Sequence, residues 1–202
     1  MAVNLTRIYT RTGDAGETRL GDMSTTSKTD PRLAAYGDVD EANSTIGVVI
    51  AEGHLNATLI RLLTQIQNDL FDVGADLSTP VTENPEHPPL RITQDYVDRL
   101  ETLCDQYNAR LAKLRSFVLP GGTTGAAYLH VARTVVRRAE RSAWAAVEAH
   151  GPAVNLTAIT YLNRLSDLLF ILARVANLSS GGDVLWVPGG ERDTPPAPRT
   201  GR

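Results

Sequence analysis

The sequence predicts an all-α protein, an up-and-down bundle of five helices that follows an N-terminal arm. Five long segments have apolar residues at three- and four-residue steps or clear helix start and stop signals, and most connections between them are short. No part of the chain alternates strands with helices as a parallel sheet requires. We therefore expect a single domain over 1–188, with the arm at 1–30, the bundle at 31–179 and a disordered tail at 189–202.

The composition narrows the class of protein. The 202 residues suffice for one sizeable core, and 42% hydrophobic with 21% charged residues are typical of a soluble globular domain. The net charge of −3 argues against general nucleic-acid binding, and we expect no apolar run long enough to span a bilayer. One cysteine excludes a disulfide framework, and four scattered histidines show no metal-ligand spacing. Cys104 is predicted to be a buried, inert thiol, and the expected compartment is the reducing cytoplasm.

The N-terminal arm carries a candidate binding loop. A short β-like run at 8–10 leads into TRTGDAGET at 10–18, which contains two glycines and three threonines. Glycine permits positive φ and close approach to a ligand, and backbone N–H groups with hydroxyl donors form anion-binding nests. Lys28 adds a mobile cation ten residues later. Because the loop lacks the Walker pattern, two interpretations remain open: a phosphate-binding loop and a plain surface turn.

The first three helices follow in order. Asp30 is a typical N-cap for a first helix predicted over 32–52. A second helix is predicted over 57–77 from leucine and isoleucine residues at helical spacing. Four prolines make 78–92 a non-helical connector, after which a third helix is predicted over 94–114.

A helix-breaking segment precedes the last two helices. Pro-Gly-Gly at 120–122 precedes a fourth helix predicted over 124–149, and a fifth is predicted over 155–177. A short strand-like piece is expected at 184–186. These elements complete the five-helix count.

The fourth helix carries a basic stripe. Arg133, Arg137 and Arg141 are four residues apart and therefore lie on one face, where like charges repel. The stripe is either a solvated basic face or a site for carboxylates or a polyanionic ligand, which guanidinium groups bind bidentately. The opposite face is small and apolar, so the stripe borders the core. Asp40, on the first helix, is a carboxylate that could pair with one of these arginines.

Two further positions keep alternative interpretations. Phe117 either plugs the core below the Pro-Gly-Gly turn or projects into a pocket formed by that turn. On the fifth helix Asn163, Asp167, Phe170 and Arg174 share a face. An interior asparagine is a poor helix former, so Asn163 serves either core hydrogen bonding or ligand recognition.

Five sequence blocks together resemble one family. They occur in the order TRTGDAG at 10–16, AYGDVDE at 35–41, FVLPGG at 117–122, RTVVRRAER at 133–141 and YLNRLSDLLF at 161–170. Over about residues 6–187 the chain resembles the PduO-type ATP:cob(I)alamin adenosyltransferases, also called corrinoid adenosyltransferases. It departs from the commonest family pattern in a hydroxyl-rich segment between Gly21 and Lys28 and in Ala42.

The resemblance implies a homotrimer of five-helix bundles with active sites between adjacent subunits. It implies that ATP is bound by Thr10, Arg11, Thr12, Gly13, Asp14, Gly16, Thr18, Arg19, Lys28, Arg137, Arg138, Glu140, Arg141 and Asn163. Asp40 and Arg133 match an intersubunit salt bridge. Phe117, Asp167 and Phe170 match the cobalamin site, and Phe117 closes the lower face of the corrin.

The implied reaction transfers the 5′-deoxyadenosyl group of ATP to the cobalt of cob(I)alamin, with triphosphate as the leaving group. Catalytic roles then fall on Arg137, Lys28 and Phe117, while Mg²⁺ is held by the ATP phosphates rather than by protein side chains. A cob(II)alamin reductant and an adenosylcobalamin-dependent mutase are possible partners. Two rivals stay open, a non-enzymatic ATP-binding helical regulator and a helical interaction module that meets an acidic protein.

Overall fold

The fold was analysed in a computed structural model of the chain, which describes residues 9, 11–85 and 87–189. The helices are α1 (Pro31–Glu52), α2 (Ala57–Ser78), α3 (Gln94–Asn108), α4 (Thr124–His150) and α5 (Leu156–Asn177). Two short strands, β1 (Glu17–Arg19) and β2 (Thr25–Ser27), precede them, and 3₁₀ turns follow at Gly151–Ala153 and Leu178–Ser180. The predicted five-helix bundle is therefore confirmed. Thr10, the start of the β-like run and the tail from 190 lie outside the described residues.

Side-chain caps explain where most helices begin. Asp30 accepts the Arg32 backbone N–H at the start of α1, and Asn56 accepts two backbone N–H groups at the start of α2. Thr123 and Asn155 cap α4 and α5 in the same way. Each cap satisfies backbone N–H groups that the first turn of a helix leaves without partners.

The third helix is shorter than the sequence predicts. It ends at Asn108, not at residue 114, and Ala112 lies in a loop where its carbonyl accepts a 2.8 Å hydrogen bond from the Arg174 guanidinium. Leu114 is exposed, so no buried face continues past the end of α3. A tertiary bond from α5 and the loss of a buried stripe therefore end this helix earlier than periodicity suggests.

The core is built where α4 lies between α1 and α5, with α2 against α1 and α3 against α5. The contact faces of α1 and α4 are rich in fully buried alanines, which let two helices approach closely; these are Ala35, Ala42, Ala132, Ala139 and Ala143. Leucine and isoleucine side chains of α2 and α5 fill the remaining volume. The arginine stripe of α4 therefore lies at the edge of a rigid, tightly packed layer.

Two small β elements lie outside the helical bundle. β1 and β2 pair antiparallel with Thr18 opposite Thr26. Near the other end Val118 pairs with Leu185 in an isolated bridge, so the strand-like piece predicted at 184–186 does meet a partner. These two elements lie on the segments that carry the candidate site residues.

Two buried carboxylates of α2 hold neighbouring segments together: Asp76 attaches the proline-rich connector, and Asp69 joins α2 to α3 and α5. Asp76 accepts hydrogen bonds from Arg91, from the Ile92 backbone N–H and from Asn155. Asp69 accepts from Arg99 and from the Tyr161 hydroxyl, whose pKa burial raises well above its usual value. Sequence reasoning missed both carboxylates, because the sequence of an amphipathic helix does not distinguish a buried charged residue from an exposed one.

The expectation that no segment is long and apolar enough to span a bilayer is wrong by length and composition alone. Among the described residues, the segment Leu156–Ser180 is long and apolar enough to cross a membrane by length and composition. Just over half of it, 56%, is buried inside the bundle, and α5 packs against both α3 and α4. Burial on several sides explains why a core helix carries so few polar residues.

Candidate active site

The N-terminal loop and Lys28 are brought together as the sequence suggested. The Lys28 ammonium lies so close to Gly13 that a β-carbon there would approach Nζ to 3.0 Å. The Lys28 backbone N–H donates to the Gly16 carbonyl at 2.8 Å, and Gly16 has a φ of +86°, which a side chain would strain. A side chain at Gly16 would therefore strain the backbone, and one at Gly13 would crowd the Lys28 ammonium and the Glu17 carbonyl.

Two adjoining cavities flank this loop. The first, of about 620 Å³, is lined by Thr12, Gly13, Glu17, Thr18, Arg19 and Thr25. The second, of about 360 Å³, contains Thr18, Lys28, Asp30 and Tyr36 among its lining residues. Hydroxyl groups, backbone N–H groups and one ammonium are donors suited to an anion. No arginine of the stripe lines either cavity.

The three arginines of the stripe differ in how far they are buried. Arg137 and Arg141 are exposed, whereas Arg133 is half-buried and its Nε atom has no hydrogen-bond partner within the described chain. Burial, and then the charge of Arg137, lower the pKa of Arg133. Its guanidinium lies 6.0 Å from the centre of the Phe170 ring. Within the described residues no carboxylate forms a salt bridge with any of the three, so the expected compensating anion is not supplied by this part of the chain.

Arg138, beside the stripe, is paired with α1. It forms salt bridges with Asp38, at 3.2 Å, and with Glu41, and the Ser142 hydroxyl donates to Asp38 at 2.5 Å. The hydrogen bond that Arg138 donates to Glu41 is the main reason that the pKa of Arg138 is raised. The carboxylates that answer an α4 arginine within the chain are thus Asp38 and Glu41, not Asp40. Asp40 is exposed and forms no salt bridge among the described residues.

A large cavity lies on the other side of Arg133. It has a volume of about 930 Å³, and its walls are mainly apolar; its lining residues are Leu114, Arg115, Ser116, Phe117, Val118, Arg133, Phe170, Trp186, Val187 and Pro188. Phe117 is 77% exposed and meets the Trp186 ring edge to face, with 5.9 Å between ring centres. The interpretation of Phe117 as a core plug is therefore wrong, and the pocket interpretation is correct.

The cavity wall that carries Phe117 is hydrogen-bonded to the segment 184–186. The Trp186 backbone N–H donates to the Phe117 carbonyl at 2.8 Å, and the Leu119 N–H donates to the Val184 carbonyl at 2.8 Å. The Ser116 hydroxyl donates to the Trp186 carbonyl at 2.8 Å. These bonds keep the Phe117 ring on the cavity wall. Sequence reasoning recognised a strand-like piece here but not its place in the cavity.

The predicted face of α5 divides into three environments. Asn163 is exposed and donates to Glu140 at 2.9 Å, so it does not serve core hydrogen bonding. Asp167 pairs with Arg164 at 2.7 Å and does not line the large cavity, whereas Phe170 does. Arg174 is buried and bonded to Asp183, which makes it structural.

His130 is a residue that sequence reasoning did not single out. It is buried, neither ring nitrogen has a partner within the described residues, and its ring meets Phe170 at 5.9 Å. Burial, and then the nearby charge of Arg133, lower the pKa of His130, which favours the neutral form of the ring. Its position on the apolar side of the stripe gave no signal, because a lone histidine in such a pattern usually belongs to the core.

The chain was compared with known protein families and with solved structures. A family profile described as cobalamin adenosyltransferase matches residues 8–176. A corrinoid adenosyltransferase of Mycobacterium tuberculosis is 67% identical over 192 residues, which is 95% of this chain and 98% of that protein. One of Bacillus subtilis is 44% identical over 184 residues, 88% of this chain and 91% of that protein.

Similar solved structures come from Lactobacillus reuteri. A phenylalanine-to-alanine variant of its PduO-type ATP:corrinoid adenosyltransferase, complexed with cobalamin and ATP, has a TM-score of 0.81 and 38% sequence identity. The match covers 89% of this chain and 99% of that one. An arginine-to-lysine variant complexed with ATP has a TM-score of 0.79 and the same identity, over 89% of this chain and 100% of that one.

Proposed function

The chain belongs to the cobalamin adenosyltransferase family and is a corrinoid adenosyltransferase, and from this premise we propose that it joins the 5′-deoxyadenosyl group of ATP to the cobalt of cob(I)alamin. The cobalt electron pair forms the bond to C5′ of the ribose. The C5′–oxygen bond breaks, and its electron pair leaves with triphosphate. The products are adenosylcobalamin and triphosphate, and no protein nucleophile or protein acid is required.

The large apolar cavity is the observation that carries this proposal. A corrin is a broad, largely apolar macrocycle, and a cavity of about 930 Å³ with Phe117, Phe170 and Trp186 on its walls suits such a ligand. A phenylalanine that is 77% exposed on a cavity wall contributes little to the core, so its hydrophobic surface is available to a ligand. A non-enzymatic ATP-binding regulator would have no need of this cavity.

Phe117 is proposed to cover the lower face of the corrin. There its ring would displace the dimethylbenzimidazole ligand, exclude water and favour the four-coordinate cob(II)alamin that is easier to reduce. The Lactobacillus reuteri variants support the assignment, because the substituted phenylalanine and arginine are twenty positions apart in that protein, as Phe117 and Arg137 are here. Phe170 is proposed as a second apolar contact. Asp167, which lies outside the cavity lining, would reach the corrin only at its rim.

The ATP site is proposed to lie between subunits. The cavities beside Lys28 contain no stripe arginine, and Arg137 and Arg141 have no carboxylate partner among the described residues. An arm from one subunit and an α4 from its neighbour would supply both sets of donors to one triphosphate. The proposed ATP contacts are Thr10, Arg11, Thr12, Gly13, Asp14, Gly16, Thr18, Arg19, Lys28, Arg137, Arg138, Glu140, Arg141 and Asn163. Arg138 would act mainly by holding α4 against α1, because its guanidinium is already paired.

Arg137 and Lys28 would stabilise the charge that develops on the departing triphosphate. The remaining catalytic effect would come from alignment of the two substrates in one site. The described residues contain no group of carboxylate, histidine and cysteine side chains that could hold a metal ion. Mg²⁺ is therefore proposed to enter coordinated by the ATP phosphates, where it would add positive charge beside the leaving group.

The proposed assembly is a cytoplasmic homotrimer in which Asp40 of one subunit pairs with Arg133 of the next. Both residues lack a carboxylate or guanidinium partner within the described part of their own chain, which supports a partner from outside it. Residues 1–188 would act as one unit. A reductant of cob(II)alamin and an adenosylcobalamin-dependent mutase that uses the product are proposed as further partners.

Anaerobic incubation with chemically reduced cobalamin and Mg-ATP tests the proposal. We expect the spectrum of the light-sensitive alkylated product, together with one triphosphate released for each product formed. ATP binding without any change in the corrinoid spectrum would instead indicate a nucleotide-binding protein that does not carry out this transfer. Sedimentation of wild type and of Asp40→Asn tests the assembly, and an unchanged trimer would exclude the proposed salt bridge.

A further inference from the structure

One carboxylate joins three separate elements at the base of the N-terminal arm. The Asp30 Oδ2 atom accepts a 2.8 Å hydrogen bond from the Thr26 hydroxyl on β2. Its Oδ1 atom accepts the Arg32 backbone N–H of α1 at 2.8 Å. The Nε2 atom of His150, the last residue of α4, lies 2.8 Å from the same Oδ1. We call these four groups the Asp30 junction.

The junction is partly buried, and its hydrogen bonds stabilise the charged form of the Asp30 carboxylate. Burial by itself would raise the pKa of Asp30, but the hydrogen bonds from the Arg32 N–H, the His150 ring and the Thr26 hydroxyl outweigh it and lower that pKa. Arg32 and Tyr36 of α1 also interact electrostatically with Asp30. The Arg32 guanidinium donates to the Leu77 and Ala153 carbonyls, so it does not compete with His150 for the carboxylate.

The junction determines where Lys28 lies. Lys28 is two residues before Asp30, and Thr18, Lys28 and Asp30 line the same cavity. A hairpin with three-residue strands is not stable alone, so its place on the bundle must come from its attachments. One attachment is the hydrogen bond from the Gly21 N–H to the Ser78 carbonyl at 2.9 Å, and the Asp30 junction is another, at the opposite end of the hairpin.

We propose that His150 is a positioning residue for the nucleotide arm: through Asp30 it holds β2 and Lys28 in the place where the arm receives the triphosphate of ATP. This inference rests on the proposed function, in which the arm binds ATP. His150 itself touches neither ATP nor corrinoid. The bond from the His150 ring is made to a carboxylate, which accepts a stronger hydrogen bond than a neutral acceptor does.

Two substitutions separate this role from a merely structural one. His150→Phe keeps the ring volume and removes the N–H donor, whereas His150→Gln keeps a donor of similar reach. We expect His150→Phe to raise the KM for ATP about tenfold, as the loss of one hydrogen bond to a carboxylate implies, with kcat and the corrinoid KM within about twofold. His150→Gln should recover most of that loss. Asn56→Ala is the matched control, because it removes the cap of α2 without touching the arm.

Two outcomes would overturn the positioning role. One is a His150→Phe enzyme with the wild-type KM for ATP, and the other is a His150→Gln enzyme that recovers none of the loss. A wild-type enzyme without ATP-dependent adenosylation would overturn the proposed function itself, which keeps the two failures distinguishable.

Discussion

The exposed ring of Phe117 leads to the sharpest prediction. Phe117→Ala removes a side chain that is 77% exposed and whose described aromatic partner is Trp186. If the ring covers the lower face of the corrin, its loss should abolish adenosylation of cob(II)alamin under a mild reductant and leave ATP binding intact. The same substitution should have little effect on the fold, because most of the ring is already in solvent.

The structure sets the size of both effects. Loss of about a quarter of the burial of a phenylalanine costs about 0.5 kcal/mol, and loss of one edge-to-face pair costs about 1 kcal/mol. The melting temperature should therefore fall by only roughly 3–6 °C for a domain of this size. Activity with cob(II)alamin should fall at least ~100-fold, which corresponds to about 2.7 kcal/mol of activation free energy.

The assay combines spectroscopy and kinetics. Electron paramagnetic resonance of cob(II)alamin with the enzyme and Mg-ATP reports the four-coordinate form, and anaerobic kinetics with pre-reduced cob(I)alamin bypass the reduction step. Phe117→Ala should lose the four-coordinate signal yet keep much of the rate with cob(I)alamin. Phe71→Ala is the matched control, since Phe71 is 71% exposed on α2 and lines none of the cavities described above. An unchanged signal in Phe117→Ala, or an equal loss in Phe71→Ala, would refute the reasoning.

Three other predictions follow from the same structure. Arg137→Ala should lower kcat/KM for ATP about 10²–10³-fold with an unchanged melting temperature, because the side chain is exposed; activity within a few-fold of wild type would make the stripe structural. Asp76→Ala should destabilise the fold by about 3–5 kcal/mol in urea unfolding, since it leaves the Arg91 guanidinium and the Asn155 amide without their carboxylate partner; a loss below 1 kcal/mol would contradict that account. Burial, and then the charge of Asp167, raise the pKa of Cys104 to about 11. Alkylation of this thiol should therefore be slow at pH 8 and should become faster as the pH rises towards 11. Fast labelling of the folded protein at pH 8 would contradict this prediction.

Several interpretations that the residues left open were decided by packing. Phe117 has the same local sequence whether it fills a core or faces a cavity, and only the pairing of Val118 with Leu185 directs its ring outward. Asp38, Asp40 and Glu41 are all carboxylates in the first half of α1, but only Asp38 and Glu41 lie where Arg138 of α4 can reach them. Periodicity alone also placed the end of α3 too late, because Arg174 bonds to Ala112 from another helix.

Hydrophobic spacing, capping residues and helix-breaking glycines and prolines are local signals. They determined the number of helices, their order and most of their ends. Five ordered motifs were specific enough to indicate the family without any coordinates. Tertiary structure alone decided which charges are neutralised within the chain, which side chains line a cavity and where the arm is attached. These depend on contacts between residues that are far apart in sequence: His150 meets Asp30 only because α4 returns the chain to the base of the arm, and no local pattern encodes such a meeting.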